Sequence, residues 1–102
     1  MEILEKTFEE ELKLKMFRAK KECNYNPTRF NQMLATYGGV ETAKRLIANA
    51  QKNGNTSEGF STLFLCGRLD LSMEESVCKA QYAPLFTDEE IAYSKAVLGI
   101  TE

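Results

Sequence analysis

From Ile3 to Cys23 the apolar residues Leu4, Phe8, Leu12, Met16, Ala19 and Cys23 recur at steps of three and four, which places them on one helical stripe. Acids in the first turns and Lys13, Lys15, Lys20 and Lys21 towards the end match the helix dipole. The spacing predicts a long amphipathic helix. Its stripe cannot stay in water, so it packs on the rest of the domain, on a second copy of the chain or on another protein.

Asn24-Tyr-Asn-Pro-Thr-Arg-Phe reads as a stop and a new start, with Asn26 as cap and Pro27 at the first helical position, where a missing N–H costs nothing. Phe30, Met33, Leu34 and Tyr37 keep helical spacing, and Gly38 suits the left-handed conformation that ends a helix. Gly38-Gly39 leads directly into a third helix with Val40, Ala43, Leu46 and Ile47 on its core face. Gln51 to Ser57 is polar and rich in Gly and Asn, and predicts a loop and hinge. Ser57 is expected to cap a fourth helix with Phe60, Leu63 and Phe64 inward and Gly67 at its end. Ser72-Met-Glu-Glu75 and Thr87-Asp-Glu-Glu90 have capping-box spacing, and the last helix carries Ile91, Ala92 and Leu98 before Gly99. No stretch alternates with the period of two that a strand needs. The expected fold class is all-α: a compact bundle of about six helices with a long N-terminal amphipathic helix and no sheet.

Length and composition limit the picture further. A chain of 102 residues with 43% hydrophobic and 27% charged positions suits one globular domain over residues 1–102. No run approaches the ~18 apolar residues of a membrane span, and the charged start lacks signal-peptide order, so a cytoplasmic protein without a membrane partner is expected. There is no histidine. That removes Ser-His-Asp and Cys-His catalysis and every His-containing metal site. Cys23, Cys66 and Cys78 form no C-x-x-C pair and are odd in number; a reduced compartment with free, buried thiols is expected, since each falls among helix-spaced apolar residues, the alternative being a reactive thiol or a cysteine-only metal site.

The net charge of −2 hides a partition. Residues 1–12 hold five acids and one base, residues 13–52 nine bases and two acids, and residues 53–102 three bases and eight acids. The basic middle either pairs with the acidic ends or forms an anion-binding surface.

Two constellations are candidates for chemistry. Arg29 lies near the Gly38-Gly39 corner, which Lys44 and Arg45 follow; free N–H groups at a helix start attract anions, and an arginine grips phosphate or carboxylate with two parallel hydrogen bonds. The alternative is a plain helix cap, since neither G-x-G-x-x-G nor a P-loop pattern is present. In Gly67-Arg-Leu-Asp-Leu-Ser, Arg68 is either a second anion contact oriented by Asp70 or half of a local salt bridge. Asp70, Glu74 and Glu75 resemble a magnesium site in composition alone, and the helix dipole already explains acids there, so neither a metal nor a cofactor is expected. Tyr25, Tyr37, Tyr82 and Phe86 are stacking surfaces for a base or, at helical spacing, core.

The strings Glu22-Cys-Asn-Tyr-Asn-Pro-Thr-Arg-Phe, Tyr37-Gly-Gly-Val-Glu-Thr-Ala-Lys-Arg-Leu, Gly67-Arg-Leu-Asp-Leu-Ser and Tyr82-Ala-Pro-Leu-Phe-Thr follow one another in the chain. In that order they resemble a module that recurs in uncharacterised bacterial proteins, covering residues 18–98 here. The resemblance implies that Tyr25, Asn26, Arg29, Gly38, Gly39, Arg68 and Asp70 belong to the module's pattern, and it carries no reaction with it. Residues 1–17 fall outside and are expected to be a private oligomerisation or docking element.

The leading expectation is a non-enzymatic helical binding module, acting as a homo-oligomer, that captures an anionic nucleotide-type small molecule through those seven residues. A bacterial or phage defence setting suits it. The first alternative is a protein-interaction module docking through its N-terminal helix. A nucleic-acid module built on the second and third helices is disfavoured by a pI of about 5.3, and an enzyme by the missing histidine.

Overall fold

The computed structural model of the chain describes residues 2–54 and 58–99. These form α1 (Glu2–Cys23), α2 (Thr28–Tyr37), α3 (Gly39–Asn53), α4 (Glu58–Cys66), α5 (Met73–Val77) and α6 (Asp88–Leu98), with 3-10 turns at Leu69–Leu71 and Ala80–Leu85. The described residues contain no strand, as the periodicity predicts for an all-α bundle. None of their helices is long and apolar enough to cross a membrane.

The stripe of α1 runs through the middle of the domain. Phe8, Leu12 and Ala19 have no exposed surface, because α3, α4, α5 and both 3-10 turns pack along this one helix. Residues 1–17, expected outside the shared module, therefore supply Phe8, Leu12 and Met16 to the core. The Phe8 ring meets Tyr82 and Phe86 edge-on, with centroids 5.0 and 5.1 Å away, an arrangement the ring quadrupoles favour.

Two charged residues of the same helix fasten α5 to it. Lys15 is 7% exposed; its Nζ donates to the Ser72 carbonyl at 3.0 Å and pairs with Glu75 at 2.5 Å. Glu11 accepts from Ser76 Oγ at 2.6 Å and Tyr82 Oη at 2.8 Å, and pairs with Lys79 at 2.9 Å. Burial by itself would push the Glu11 carboxyl up, but hydrogen bonds from Ser76, Lys79 and Tyr82 and the nearby Lys15 charge outweigh it and hold the group below its ordinary value. For Lys15 burial wins, and its pKa falls despite Glu75 and Glu11.

Local punctuation follows the sequence in most places and departs in a few. Thr87 and Glu90 form the complete capping box, whereas Ser72 accepts from the Glu75 N–H while the Glu75 carboxylate turns to Lys15. Asn26 does not cap α2: Pro27 takes the N-cap position with no side-chain bond, and the helix starts at Thr28. The expected loop at Gln51 is still helix, since α3 runs to Asn53 and Gly54 closes it in the left-handed conformation. The predicted cap Ser57 lies outside the described residues. On α6 it is Ser94 that is buried, with Ala92 exposed.

The cysteine reading changes most. Cys23 and Cys66, the last residues of α1 and α4, form a disulfide with Cα atoms 6.0 Å apart, and Cys66 is exposed rather than buried. Their separation of 43 residues hides the pairing from any local pattern. Closing a loop of this length restricts the unfolded chain by about 4 kcal/mol in the chain-entropy account. Cys78 alone stays free; it is half-buried, and burial pushes its thiol up.

Two predictions test these contacts. A Cβ on Gly39 would lie 2.8 Å from the Glu9 Cα, so Gly39→Ala should lose about 2 kcal/mol in urea unfolding, against ~1 kcal/mol for Gly54→Ala, which has open space and only an unfavourable φ of +73°. Because the folded pKa of Glu11 is depressed, its contribution is full above about pH 4.5 and is lost as pH falls through the folded value. Glu11→Gln should therefore be ~2–3 kcal/mol less stable than wild type at neutral pH and converge with it in acid. A constant gap across pH would refute the assignment.

Candidate ligand-binding site

Between α1, α2, α3, α4 and the start of α5 lies a cavity of about 430 Å³, within the range of small-molecule sites. Its position follows from helix geometry. Arg29, Phe30 and Met33 share one face of α2, and Leu46, Asn49, Ala50 and Asn53 form a stripe along α3 at steps of three, one and three. Met16 of α1, Phe60 and Leu63 of α4 and Met73 of α5 complete the apolar walls. Three methionines give this lining the polarisable, adaptable surface that suits a flat or irregular guest.

Polar groups interrupt these apolar walls. Asn53 Nδ2 donates to Asn49 Oδ1 at 3.0 Å, which orients both amides and leaves the Asn49 N–H groups and the Asn53 carbonyl for another partner. Tyr25 and Asn26, in the link between α1 and α2, also border the cavity. The Tyr25 hydroxyl lies so close over Gly59 that a Cβ there would meet it at 3.0 Å. Ser72 and Glu74 contribute from the first residues at α5, both of them almost fully buried.

Arg29 is exposed at this cavity, and its standing is unlike that of the other arginines. Arg18 pairs with Glu22 at 3.1 Å, Arg45 with Glu41 at 2.9 Å while stacking 4.0 Å from the Tyr37 ring centroid, and Arg68 with both Asp70 and Glu22. Among the described residues Arg29 has no ion pair. Lys15 and Lys44 pair with Glu75 and Glu90 in the acidic C-terminal half. Much of the basic middle is thus neutralised from within.

The seven residues picked out by the sequence separate into three places. Tyr25, Asn26 and Arg29 come together at the cavity. Gly38 and Gly39 do not line it: the Gly39 N–H donates to Glu9 Oε1 at 3.0 Å, so the anion drawn to the start of α3 is a carboxylate of α1. Arg68 and Asp70 also lie outside the lining. Arg68 Nε and Nη2 donate to the two oxygens of Asp70 at 3.0 and 3.1 Å, and Nη1 reaches Glu22. Hydrogen bonds to Asp70 and Glu22 raise the Arg68 pKa, and Arg68 in turn lowers both carboxyls. This is the local salt-bridge alternative, extended to the end of α1.

Helical spacing places Met16, Met33 and Leu46 on core-facing stripes but does not single out Asn49, Ala50 or Asn53, nor the methionines as one lining. A signal existed at Asn49 and Asn53, two amides one turn apart beside Leu46 and Ala50 on a stripe otherwise apolar. No family model, curated protein or solved structure matches the chain.

Ala50 is 7% exposed and borders the empty volume, so a longer aliphatic side chain has somewhere to go. Ala50→Leu should keep stability within about 1 kcal/mol of wild type by thermal unfolding, because it fills space instead of overpacking. A loss well beyond that would mean that the cavity is not open to an occupant.

Proposed function

We propose that this domain is a non-enzymatic binding module that captures an anionic small molecule of nucleotide type in the cavity between α1, α2, α3 and α4. The observation that carries the reading is a cavity of about 430 Å³ with mixed apolar and polar walls and, at its edge, an arginine that has no counter-ion among the described residues. A planar base has Phe30, Phe60 and the methionines to lie against. Its edge can meet the oriented Asn49 and Asn53 amides, and Arg29 is suited to take two phosphate oxygens with parallel hydrogen bonds. Tyr25 and Asn26 border the same opening, which keeps three of the seven residues of the module pattern in one place.

A second reading has its own support. Ile3, Leu14 and Phe17 on α1, with Phe64 and Leu65 on α4, are each more than 60% exposed, which favours contact with a protein partner or a second copy of the chain. Light scattering after size exclusion reads this directly: Phe17→Glu should reduce the mass to that of one chain if α1 is the contact.

The capture reading is tested by titration calorimetry with nucleoside mono- and diphosphates. Arg29→Ala should weaken binding by about tenfold or more, and Arg68→Ala by less than about twofold, because the second arginine is already bound to carboxylates. Ala50→Leu should remove binding. If no nucleotide binds the wild-type chain, or if Arg68→Ala is the damaging change, the reading is wrong.

A further inference from the structure

Helix α4 forms one wall of the cavity through Gly59, Phe60 and Leu63, and the disulfide is at its far end. Among its described side chains Phe60 and Leu63 are buried, whereas Phe64, Leu65 and Cys66 face solvent. Leu63 packs with Ala19 and Leu71 in a small cluster separate from the main core, and Cys23, Tyr25 and Leu69 border that cluster. The main core around Phe8 draws on α1, α2, α3, α5, α6 and the second 3-10 turn, and includes no residue of α4. So this wall is anchored through a cluster apart from the centre of the fold, and a covalent bond restrains its end.

We propose that Cys23–Cys66 is a thiol–disulfide switch whose reduction by a dithiol frees α4, the wall of the cavity. Exposed Cys66 is the point of entry. A thiolate of the dithiol attacks Cys66 Sγ, forming a mixed disulfide and expelling the Cys23 thiolate, which takes up a proton. The second thiol of the reductant, as thiolate, then attacks the mixed disulfide and displaces Cys66, which is protonated in turn. Two electrons and two protons pass to the protein, and the dithiol leaves as its disulfide. After the step, α4 is held by non-covalent contacts, among them those of Phe60 and Leu63 and the Arg68–Glu22 pair on the following link, and opens more readily than when cross-linked. The link between α1 and α2 feels the same event, because Tyr25 rests on Gly59 and Cys23 precedes it by two residues. A captured ligand is accordingly held by the oxidised form and released by the reduced one, a consequence that rests on the proposed function.

Hydrogen exchange read by mass spectrometry tests the switch on the full chain, prepared without reductant, with dithiothreitol, and as Cys66→Ser. Alkylation under denaturing conditions should find one free thiol before reduction and three after it. Exchange in peptides covering 58–66 should quicken by about tenfold or more on reduction and in Cys66→Ser, while peptides of 8–16 and 88–98 stay protected. Three free thiols in the unreduced chain, unchanged exchange in α4, or equal acceleration everywhere would overturn the proposal. Nucleotide release, followed by the same reductant jump, separates the two readings. Loosened α4 with no nucleotide bound by either form upholds the switch and removes the capture reading, whereas unchanged α4 with tight nucleotide binding does the reverse.

Discussion

The apolar stripe of α1 has to be covered along its whole length, and the arrangement of the other helices follows from how they cover it. Phe8 lies between the edges of Tyr82 and Phe86, Leu12 is sealed off from solvent, and Ala19 gives a close approach for Leu63 and Leu71. Burying one long helix on several sides also brings its polar positions under other elements. Glu11 and Lys15 are then tolerable because α5 and the turn after it supply a partner for each: Ser76, Tyr82 and Lys79 for the carboxylate, Glu75 and the Ser72 carbonyl for the ammonium. A network so fully satisfied fixes the register of α5 on α1, and with it the floor of the cavity.

The same economy of charge decides which cations and helix ends stay without an acidic partner. Glu9 of α1 takes the N–H at the start of α3, Glu90 takes Lys44, and Glu22 and Asp70 take Arg68. Each of these pairings removes a cation or a helix terminus that looks, in isolation, like an anion site. Arg29 lies on the α2 face that borders the cavity and has no ion pair among the described residues. A site defined by what internal pairing leaves over is one that local motifs describe poorly. It also explains why the Gly38-Gly39 corner, so suggestive as a sequence, is closed by an acid thirty residues earlier in the chain.

Legibility differed by the range of the interaction involved. Helix stripes, the Thr87–Glu90 capping box and the positive-φ glycines at 67 and 99 depend on neighbours within one or two turns, and hydrophobic spacing and turn chemistry predict them directly. The all-α class and the long first helix follow from these signals. Tyr25, Asn26 and Arg29 were legible as residues of one short stretch, but the grouping of Arg29 with the Gly38-Gly39 corner was not kept, because the fold sets Arg29 at the cavity and Glu9 at the corner. The choice between internal pairing and a free basic surface was not legible, since the partners of Lys15 and Lys44 are 60 and 46 residues away.

Only the packed fold brings the ends of α1 and α4 together and joins Cys23 to Cys66, sets Glu9 against Gly39, and opens a cavity whose lining is drawn from five helices. Local patterns act through contacts a few residues apart, where the chain has few conformations to choose among. Which acid neutralises which base, which thiols meet and where space is left between helices depend on how rigid elements fit one another. Those outcomes belong to volumes and distances between faces that no stretch of the chain contains by itself.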